Sequence, residues 1–276
     1  MMSGSKPNFL SRKQYGVGIK KNENRNLLIS LMIRYFSIKV FLSILLLTPV
    51  SCQKEQTKKD NKIVQEVDLN YLLFLPESYN NDQETKWPLI LFLHGIGERG
   101  NDLELLKIHG IPKIVEKEKK FPFIAISPQC PADYDWRDEA MQETVLDLLE
   151  KTLNNYRVDK DRVYITGLSM GGYGTWALAT KRPDLFAAAV PICGGGEPST
   201  ASFLKDLPIW VFHGALDEVV LPEESEKMVR ALQKVKGKVR YTLYPNAYHD
   251  SWTETYANQE LYDWLLSNKR TDHNKF

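Results

Sequence analysis

Residues 162–176, RVYITGLSMGGYGTW, decide the fold. The run VYIT predicts a buried strand, and GYGTWALA from Gly172 onward predicts a helix. Between them lies the pattern G-x-S-x-G, with Ser169 flanked by Gly167 and Gly171. A serine in this strand–turn–helix setting occupies a tight, strained turn that needs small neighbours. The stretch therefore predicts an exposed serine nucleophile in an α/β fold, and the alternative is a glycine-rich turn with a capping serine.

The chain on either side of this stretch alternates short apolar runs with helical patterns. Continuous apolar runs are typical of strands that are buried on both faces, as in parallel sheets. The alternation predicts one domain over residues 65–270, with a mostly parallel central sheet flanked by helices. The predicted strands are 69–75, 89–93, 123–127, 163–166, 187–192, 209–212 and 239–244, and the predicted helices are 138–156, 172–180, 223–236 and 254–266.

Composition excludes several classes of protein. With 276 residues, 43% of them hydrophobic and 26% charged, the chain resembles an ordinary globular protein rather than a disordered or collagen-like one. A net charge of +1 gives no general attraction to nucleic acid. Three cysteines are too few for a disulfide framework. Since we find no metal-ligand spacing, P-loop or dinucleotide fingerprint, we expect no cofactor and no metal. The oligomeric state is not predicted.

A serine nucleophile needs a base, and in this type of fold the order along the chain is serine, acid, histidine. His249 and His273 are the histidines late enough in the chain to follow such an acid. His249 directly follows the last predicted strand, within YPNAYHDSW, whereas His273 lies in a polar tail. We therefore predict His249 as the base, with an ordinary surface histidine as the alternative.

The acid is expected in the loop after the strand at 209–212. Asp217 lies there in the pattern H-G-x-x-D, and a carboxylate in this place would orient the imidazole of the base. The adjacent Glu218 is the alternative acid. Asp250, next to the predicted base, is interpreted as a cap of the following turn.

An oxyanion hole needs two N–H donors. The residue after the nucleophile, Met170, should supply one, and Ile96 in the loop H-G-I-G should supply the other. Glycines at 95 and 97 would let the backbone approach the substrate. His94 is interpreted as a structural residue of this loop. The charged residues that follow are interpreted as a solvated loop rather than substrate contacts: Glu98, Arg99 and Asp102.

Two tryptophans and two cysteines remain as weaker signals. Trp136 follows another predicted strand, where it either walls the site or packs in the core, and Trp252 is a second tentative substrate contact. Cys130 and Cys193 each end a predicted strand. Other strands should separate them, so we predict two separate thiols, with a disulfide as the alternative.

In this order, the motifs HGIG, GLSMGGYG, HGALD and YHDSW resemble those of α/β-hydrolases, over about residues 65–267. GLSMGGYGTW followed by AAAVPICGGG is similar to the branch of feruloyl and acetylxylan esterases and polyhydroxybutyrate depolymerases. The resemblance implies a serine esterase that needs no metal. Phospholipase/carboxylesterases and prolyl oligopeptidases are neighbouring branches, so a small-ester carboxylesterase or lysophospholipase and a short-peptide peptidase stay open. So does a non-catalytic surface-binding lipoprotein.

The interval at 194–207 limits the size of any insertion over the site. Fourteen residues between two predicted strands are too few for a helical cap domain. We therefore predict an open, shallow site, and an acyl group carried on a polysaccharide as the substrate rather than an engulfed lipid chain.

An apolar run, VFLSILLLTPV at 40–50, lies near the beginning of the chain. It is shorter than the ~20 residues of a membrane-spanning helix but fits a signal peptide, with Arg34 and Lys39 before it. The run ends in PVSC, which resembles the lipobox of bacterial lipoproteins despite Pro49 and Val50. Cys52 would then carry the lipid. The alternative is a buried N-terminal helix.

Residues 1–64 divide into three predicted parts. Residues 32–51 are the signal peptide, 52–64 a polar tether, and 1–31 an upstream extension that is not part of the native product, because Met32 would begin a compact leader. Residues 1–51 hold eight of the 36 Lys and Arg and one of the 35 Asp and Glu, so the remainder carries a net charge of −6. We expect an exported protein whose lipid anchors it to a bacterial membrane, facing the periplasm or the cell surface.

Overall fold

The computed structural model describes residues 9–12, 69–81 and 83–270, with only the backbone of the first segment. Within them, a sheet of eight strands has the order β1-β2-β4-β3-β5-β6-β7-β8. The strand β2 is antiparallel to both β1 and β4, and all other neighbours are parallel. The strands are β1 (Phe9–Arg12), β2 (Asn70–Phe74), β3 (Trp87–Leu93), β4 (Ile124–Gln129), β5 (Val158–Leu168), β6 (Ala188–Ile192), β7 (Ile209–Gly214) and β8 (Val239–Tyr244).

Helices cover both faces of this sheet. They are α1 (Gly110–Lys117), α2 (Glu139–Asn155), α3 (Met170–Lys181), α4 (Pro222–Lys234), α5 (Trp252–Ala257) and α6 (Gln259–Ser267). Short 3-10 helices lie at Glu77–Asn80, Ile96–Glu98, Leu103–Ile108 and Pro198–Leu204. The predicted mostly parallel sheet flanked by helices is confirmed.

Alternation along β3 explains why the sheet has a core on each side. Side chains of successive strand residues point to opposite faces. Leu89 and Leu91 pack in one cluster with Trp176 of α3, whereas Ile90 and Phe92 pack in the other. Because both faces are apolar, the central strands read as continuous hydrophobic runs.

The C-terminal helical pattern at 254–266 forms two helices rather than the single one predicted. Asn258 lies between α5 and α6 in an extended conformation, and its side chain accepts a hydrogen bond from the N–H of Glu260. This is an N-cap, which starts a new helix by satisfying a free N–H at its first turn.

Besides the 3-10 helices, one helix and one strand were not predicted. The helix α1 begins at Gly110, which has φ +63° and lies against the Phe92 ring, where a Cβ atom would overlap. The edge strand β1 pairs with β2, from Phe9 opposite Phe74 to Arg12 opposite Tyr71. Neither of these short segments has a long enough pattern to predict an element from sequence alone.

The connection from β6 to β7 contains only the 3-10 helix Pro198–Leu204, so no cap domain lies there, as predicted. Among the described residues, none of the helices combines the length and apolarity that crossing a bilayer would require. The predicted signal peptide, the tether with Cys52, and His273 all lie outside the described residues.

Candidate active site

Ser169 occupies the sharp turn between β5 and α3. Its backbone has φ 53° and ψ −116°, and its N–H donates to the carbonyl of Ile192 on the neighbouring strand. A positive φ is costly for a residue with a side chain and is found where the surroundings enforce it. The turn lifts the hydroxyl to the carboxyl edge of the sheet, and Ser169 remains partly exposed.

The glycines beside Ser169 are required by close backbone contacts. A Cβ atom on Gly167 would overlap the backbone of Gly171, and one on Gly171 would overlap the carbonyl of Leu93. The G-x-S-x-G pattern is therefore a packing requirement of the turn, which lies directly on β3.

His249 reaches this serine from the loop after β8. Its Nε2 lies 2.9 Å from Ser169 Oγ, and its Nδ1 lies 2.7 Å from Asp217 Oδ2. Because the carboxylate only accepts, Nδ1 carries the proton and Nε2 is free to accept from the serine hydroxyl. The three predicted residues thus form one continuous hydrogen-bonded chain.

Asp217 is held at the buried end of this chain. Its side chain is buried, and its Oδ1 accepts from the N–H groups of Val219 and Val220, at 2.9 and 3.0 Å. Both carboxylate oxygens are therefore engaged, which fixes the plane of the group. The alternative acid Glu218 is exposed, and Asp250 caps its own turn by accepting from the Thr253 N–H, as expected.

Gly214 lets the loop of the acid approach the loop of the base. A Cβ atom there would overlap the carbonyls of Ala247 and Tyr248, the two residues before His249. The Leu216 N–H also donates to the Ala247 carbonyl at 3.0 Å. These contacts set the separation of Asp217 and His249.

The two predicted oxyanion donors lie at the first positions of helical turns. Met170 begins α3, and Ile96 begins the 3-10 helix that ends at Glu98. N–H groups at such positions have no partner within their own helix, so they are free to bind an anion. Ile96 is 60% exposed, so its loop faces solvent.

His94 anchors the Ile96 loop, as its interpretation as a structural residue predicts. It is buried, and its Nε2 accepts from the Cys130 N–H at 2.9 Å while Nδ1 contacts the Gly95 carbonyl. Burial lowers the pKa of His94 to about 4, so the ring is neutral and unsuited as a base at pH 7.

The expectation that Trp136 walls the site is not met. Its side chain is 0% exposed, its Nε1–H donates to the His94 carbonyl at 3.0 Å, and its ring stands edge-on to the His94 ring. The polar indole N–H has a partner only in the core, so Trp136 packs beneath the loop instead of meeting substrate.

Glu98 also departs from the solvated loop predicted for it, since it is only 7% exposed. Burial raises the pKa of Glu98, and the neighbouring His109, 3.9 Å from Oε1, opposes this. The other two charged residues of this loop have structural roles. Arg99 donates to the Ile96 and Tyr134 carbonyls, and Asp102 caps the next 3-10 helix.

Trp252 lies beside His249, together with a histidine that the sequence did not assign to the site, and its contact with substrate stays a prediction. The Trp252 ring is perpendicular to the His249 ring, with centroids 5.3 Å apart, and its Nε1 lies 3.4 Å from His109 Nδ1. Sequence order excludes His109 as the base, and no local motif marks it as a neighbour of Trp252.

Cys130 and Cys193, the two cysteines within the described residues, are separate, as predicted, and both are free and buried. Burial raises the pKa of Cys130 to about 12 and that of Cys193 further. The Cys193 sulfur lies within 4.8 Å of potential ligand atoms of Asp217 and His249. A metal there would need the thiolate, which burial disfavours, and the two side chains already bonded to each other, so this set does not fit a metal centre.

The sheet, the strained serine turn and the hydrogen-bonded chain at its carboxyl edge define an α/β-hydrolase. Residues 108–263 match the model of the dienelactone hydrolase family. Because this covers more than half of the chain, the protein belongs to that family.

Individual relatives agree with this assignment. Acetylxylan esterase A of Emericella nidulans is 32% identical over 154 residues, which are 48% of this chain and 51% of that protein. Poly(3-hydroxyalkanoate) depolymerase C of Paucimonas lemoignei is 40% identical over 52 residues, 19% of this chain and 13% of that one. The chain thus spans about half or less of the length of these curated relatives.

Solved structures of esterases are also similar to this chain. A thermostable esterase has a TM-score of 0.65 at 39% identity, covering 75% of this chain and 60% of that one. A ferulic acid esterase has a TM-score of 0.56 at 18% identity, covering 74% and 93%, and supports the fold alone.

Proposed function

We propose that the protein is a serine carboxylic-ester hydrolase that works through an acyl-enzyme. The observation that carries this is the unbroken chain from Ser169 through His249 to the buried Asp217, with distances of 2.9 and 2.7 Å. A serine hydroxyl is a weak nucleophile, and it gains strength from a base that is itself oriented by a third group.

In the first half of the reaction, Ser169 Oγ attacks the ester carbonyl while His249 Nε2 takes its proton. Asp217 stabilises the imidazolium that forms, and the N–H groups of Met170 and Ile96 bind the oxyanion. The imidazolium then protonates the departing alcohol. A water, deprotonated by His249, releases the acid in the second half and restores the serine.

For the substrate, we propose an ester carried on a polysaccharide. The uncapped connection between β6 and β7 supports this, because a bulky polymer needs an open approach to the serine. Relatives named as acetylxylan esterases support it as well.

Covalent labelling tests the mechanism without knowledge of the substrate. We would treat the full-length chain with a fluorophosphonate and measure its intact mass, with Ser169→Ala as the control. One adduct is expected on the wild type and none on the variant, because the probe reacts with activated serines. Folded wild-type protein that stays unlabelled would refute the esterase function.

Substrate class is tested separately on unlabelled enzyme, because the phosphonate adduct blocks Ser169. Release of acetate from acetylated xylan and of ferulate from feruloylated arabinoxylan would be compared with hydrolysis of a lysophospholipid and of a short peptide amide. Release from at least one glycan is expected. Hydrolysis of the lipid or peptide with neither glycan attacked would refute the polysaccharide assignment.

We further propose that the protein is exported and anchored through a lipid on Cys52. The support is the apolar run at 40–50 that ends in PVSC, preceded by Arg34 and Lys39. Expression in bacteria with radiolabelled palmitate should label the wild type and not Cys52→Ala. N-terminal sequencing of the mature protein should find residues 1–51 removed, including the edge strand β1 (Phe9–Arg12), which would leave a seven-stranded sheet that ends at β2. A mature chain that retains residues 1–51 would contradict both the anchor and the start at Met32.

A further inference from the structure

His213 is a second histidine on the carboxylate of the site. It is the next-to-last residue of β7, in the pattern H-G-x-x-D, and its side chain is fully buried. Its Nε2 lies 3.2 Å from Asp217 Oδ2, the same oxygen that His249 Nδ1 contacts at 2.7 Å. The proposed mechanism gives His213 no role, although it touches the acid directly.

The contacts of His213 determine which ring nitrogen carries the proton. Besides Asp217, Nε2 faces the Val220 carbonyl at 2.8 Å. Both of these groups only accept hydrogen bonds, so Nε2 must be the protonated nitrogen. Nδ1 lies 2.7 Å from Ser225 Oγ on α4, where it competes with the Gly194 carbonyl for the single proton of that hydroxyl.

The ring is neutral. Burial lowers the pKa of His213 below its ordinary value, although the Val220 carbonyl and the Asp217 carboxylate oppose this shift. Of the titratable and polar groups that face it, Asp217 is shared with His249, and Ser225 does not titrate in this range. Two imidazoles on one carboxylate oxygen cannot both take a charge without repulsion, so His249 can become the imidazolium while His213 remains a neutral donor.

On its other side, His213 connects with the nucleophile helix. Ser225 Oγ also lies 2.9 Å from the Gly194 carbonyl. Gly194 packs so closely on Gly172 of α3 that a Cβ atom at 194 would come within 2.8 Å of that backbone. The buried His213 therefore connects the loop of Asp217 with α4 and, through Ser225, with α3.

We propose that His213 is a positioning residue for the triad: its Nε2–H donates to Asp217 Oδ2, fixes that carboxylate, and sets the basicity of His249. The hydrogen bond draws part of the carboxylate's negative charge away from His249. The carboxylate then stabilises the His249 imidazolium less than it would alone. This inference rests on the proposed serine chemistry of the same site.

A matched pair of amide variants tests this role. The side-chain nitrogen of glutamine in His213→Gln can reach the place of Nε2 and donate to Asp217. In His213→Asn the amide is one methylene shorter and reaches only the place of Nδ1, so the bond to Asp217 is lost. The readout is the second-order rate constant of fluorophosphonate labelling from pH 5 to 9, together with kcat and KM for p-nitrophenyl acetate.

For His213→Asn we expect the acidic limb of the pH profile of labelling to shift to higher pH, by about half a pH unit or more. We expect kcat to fall about tenfold with little change in KM, because the lost bond acts on the base rather than on substrate. His213→Gln should keep a limb close to that of the wild type. Leu232→Ala, a buried change on α4 away from Asp217, should lower stability without moving the limb.

The proposal would be overturned if the acidic limb of the labelling profile does not shift in His213→Asn. It would also be overturned if that limb shifts by the same amount in His213→Gln. If His213→Asn does not fold, nitrogen-15 imidazole spectra of the wild type decide instead. They should show His213 neutral and protonated at Nε2 at pH 7, and a charged ring or an Nδ1–H ring would also overturn it. A wild type that does not label at all would instead refute the proposed function.

Discussion

Ser169 and its glycine neighbours show how single residues are constrained by the turn. The backbone of Ser169 has φ 53°, and this conformation survives only because β3 packs against the turn on one side and β6 holds it on the other. Cys193, at the end of β6, also has a positive φ, 40°. The backbone at the centre of the site is thus strained directly after two adjacent strands, β5 and β6.

Gly171→Ala is expected to destabilise the protein by about 3 kcal/mol and to abolish fluorophosphonate labelling. Alanine favours a helix over glycine by up to about 1 kcal/mol. The new methyl group would overlap the Leu93 carbonyl, however, and overpacking against rigid backbone costs more. Urea denaturation measures the change. Gly97→Ala, where a Cβ atom has nothing within 4 Å, is the control and should keep the wild-type midpoint.

His94 should make stability depend on pH. Its folded pKa of about 4 lies below the unfolded value of 6.5, so the unfolded chain binds more protons between these values. The contribution of His94 to the free energy of unfolding is therefore fully present above pH 6.5. It decreases as the pH falls toward 4, by about 2 kcal/mol between pH 7 and 5. The raised pKa of the neighbouring Glu98 acts in the opposite direction.

Urea denaturation at pH 7 and pH 5 of the wild type and His94→Gln isolates this contribution. Glutamine can accept from the Cys130 N–H but does not titrate. The variant should therefore lose less stability over this interval than the wild type. Equal losses in both proteins would contradict the assignment of a neutral, buried His94.

At the scale of elements, a single cap divides the C-terminal helical pattern. Asn258 accepts from the Glu260 N–H at 3.0 Å and starts α6, while α5 carries Trp252 to the edge of the His249 ring. The break changes the direction of the chain, so that α5 reaches the site and α6 covers the sheet with Leu261 and Leu265.

Asn258→Ala should lower the free energy of unfolding by about 1 kcal/mol, because the N–H of Glu260 loses its acceptor. Asn258→Asp keeps an acceptor at the same position and should retain the wild-type stability or exceed it. Chemical denaturation of the three proteins measures this. An alanine variant as stable as the wild type would show that the cap does not contribute to the folded state.

At the scale of the whole molecule, the uncapped carboxyl edge of the sheet should determine acyl selectivity. The only regular element between β6 and β7 in the described structure is the 3-10 helix Pro198–Leu204. Ligand sites gain affinity from surface that they bury, and here no inserted helices are available to enclose a long chain. Additional methylenes should therefore add little to kcat/KM.

We expect kcat/KM for p-nitrophenyl esters to be at least as high with acetate or butyrate as with palmitate. Initial rates below the solubility limit of each ester measure this, with Ser169→Ala as the background. A value that rises steadily to palmitate would contradict an open site and would favour lipid-like substrates.

The sequence by itself determined the class of fold and the three residues of the hydrogen-bonded chain. Central strands that are buried on both faces must be apolar throughout, and a strained turn on β3 admits only glycine two positions before and two positions after Ser169. Such requirements involve residues that are close together in the sequence, so a short stretch of sequence is enough to recognise them. Chain order then placed Asp217 and His249 after the serine, in the loops that follow β7 and β8.

Only the tertiary structure decided what lies around that chain. Trp136 and Trp252 both follow strands that end at the same edge, yet one is buried against His94 and the other stands against His249. Whether a side chain points inward or outward there depends on contacts with residues far away in sequence. The same holds for His213, whose pairing with Asp217 Oδ2 needs the acid loop to fold back over β7. No periodic pattern encodes that approach.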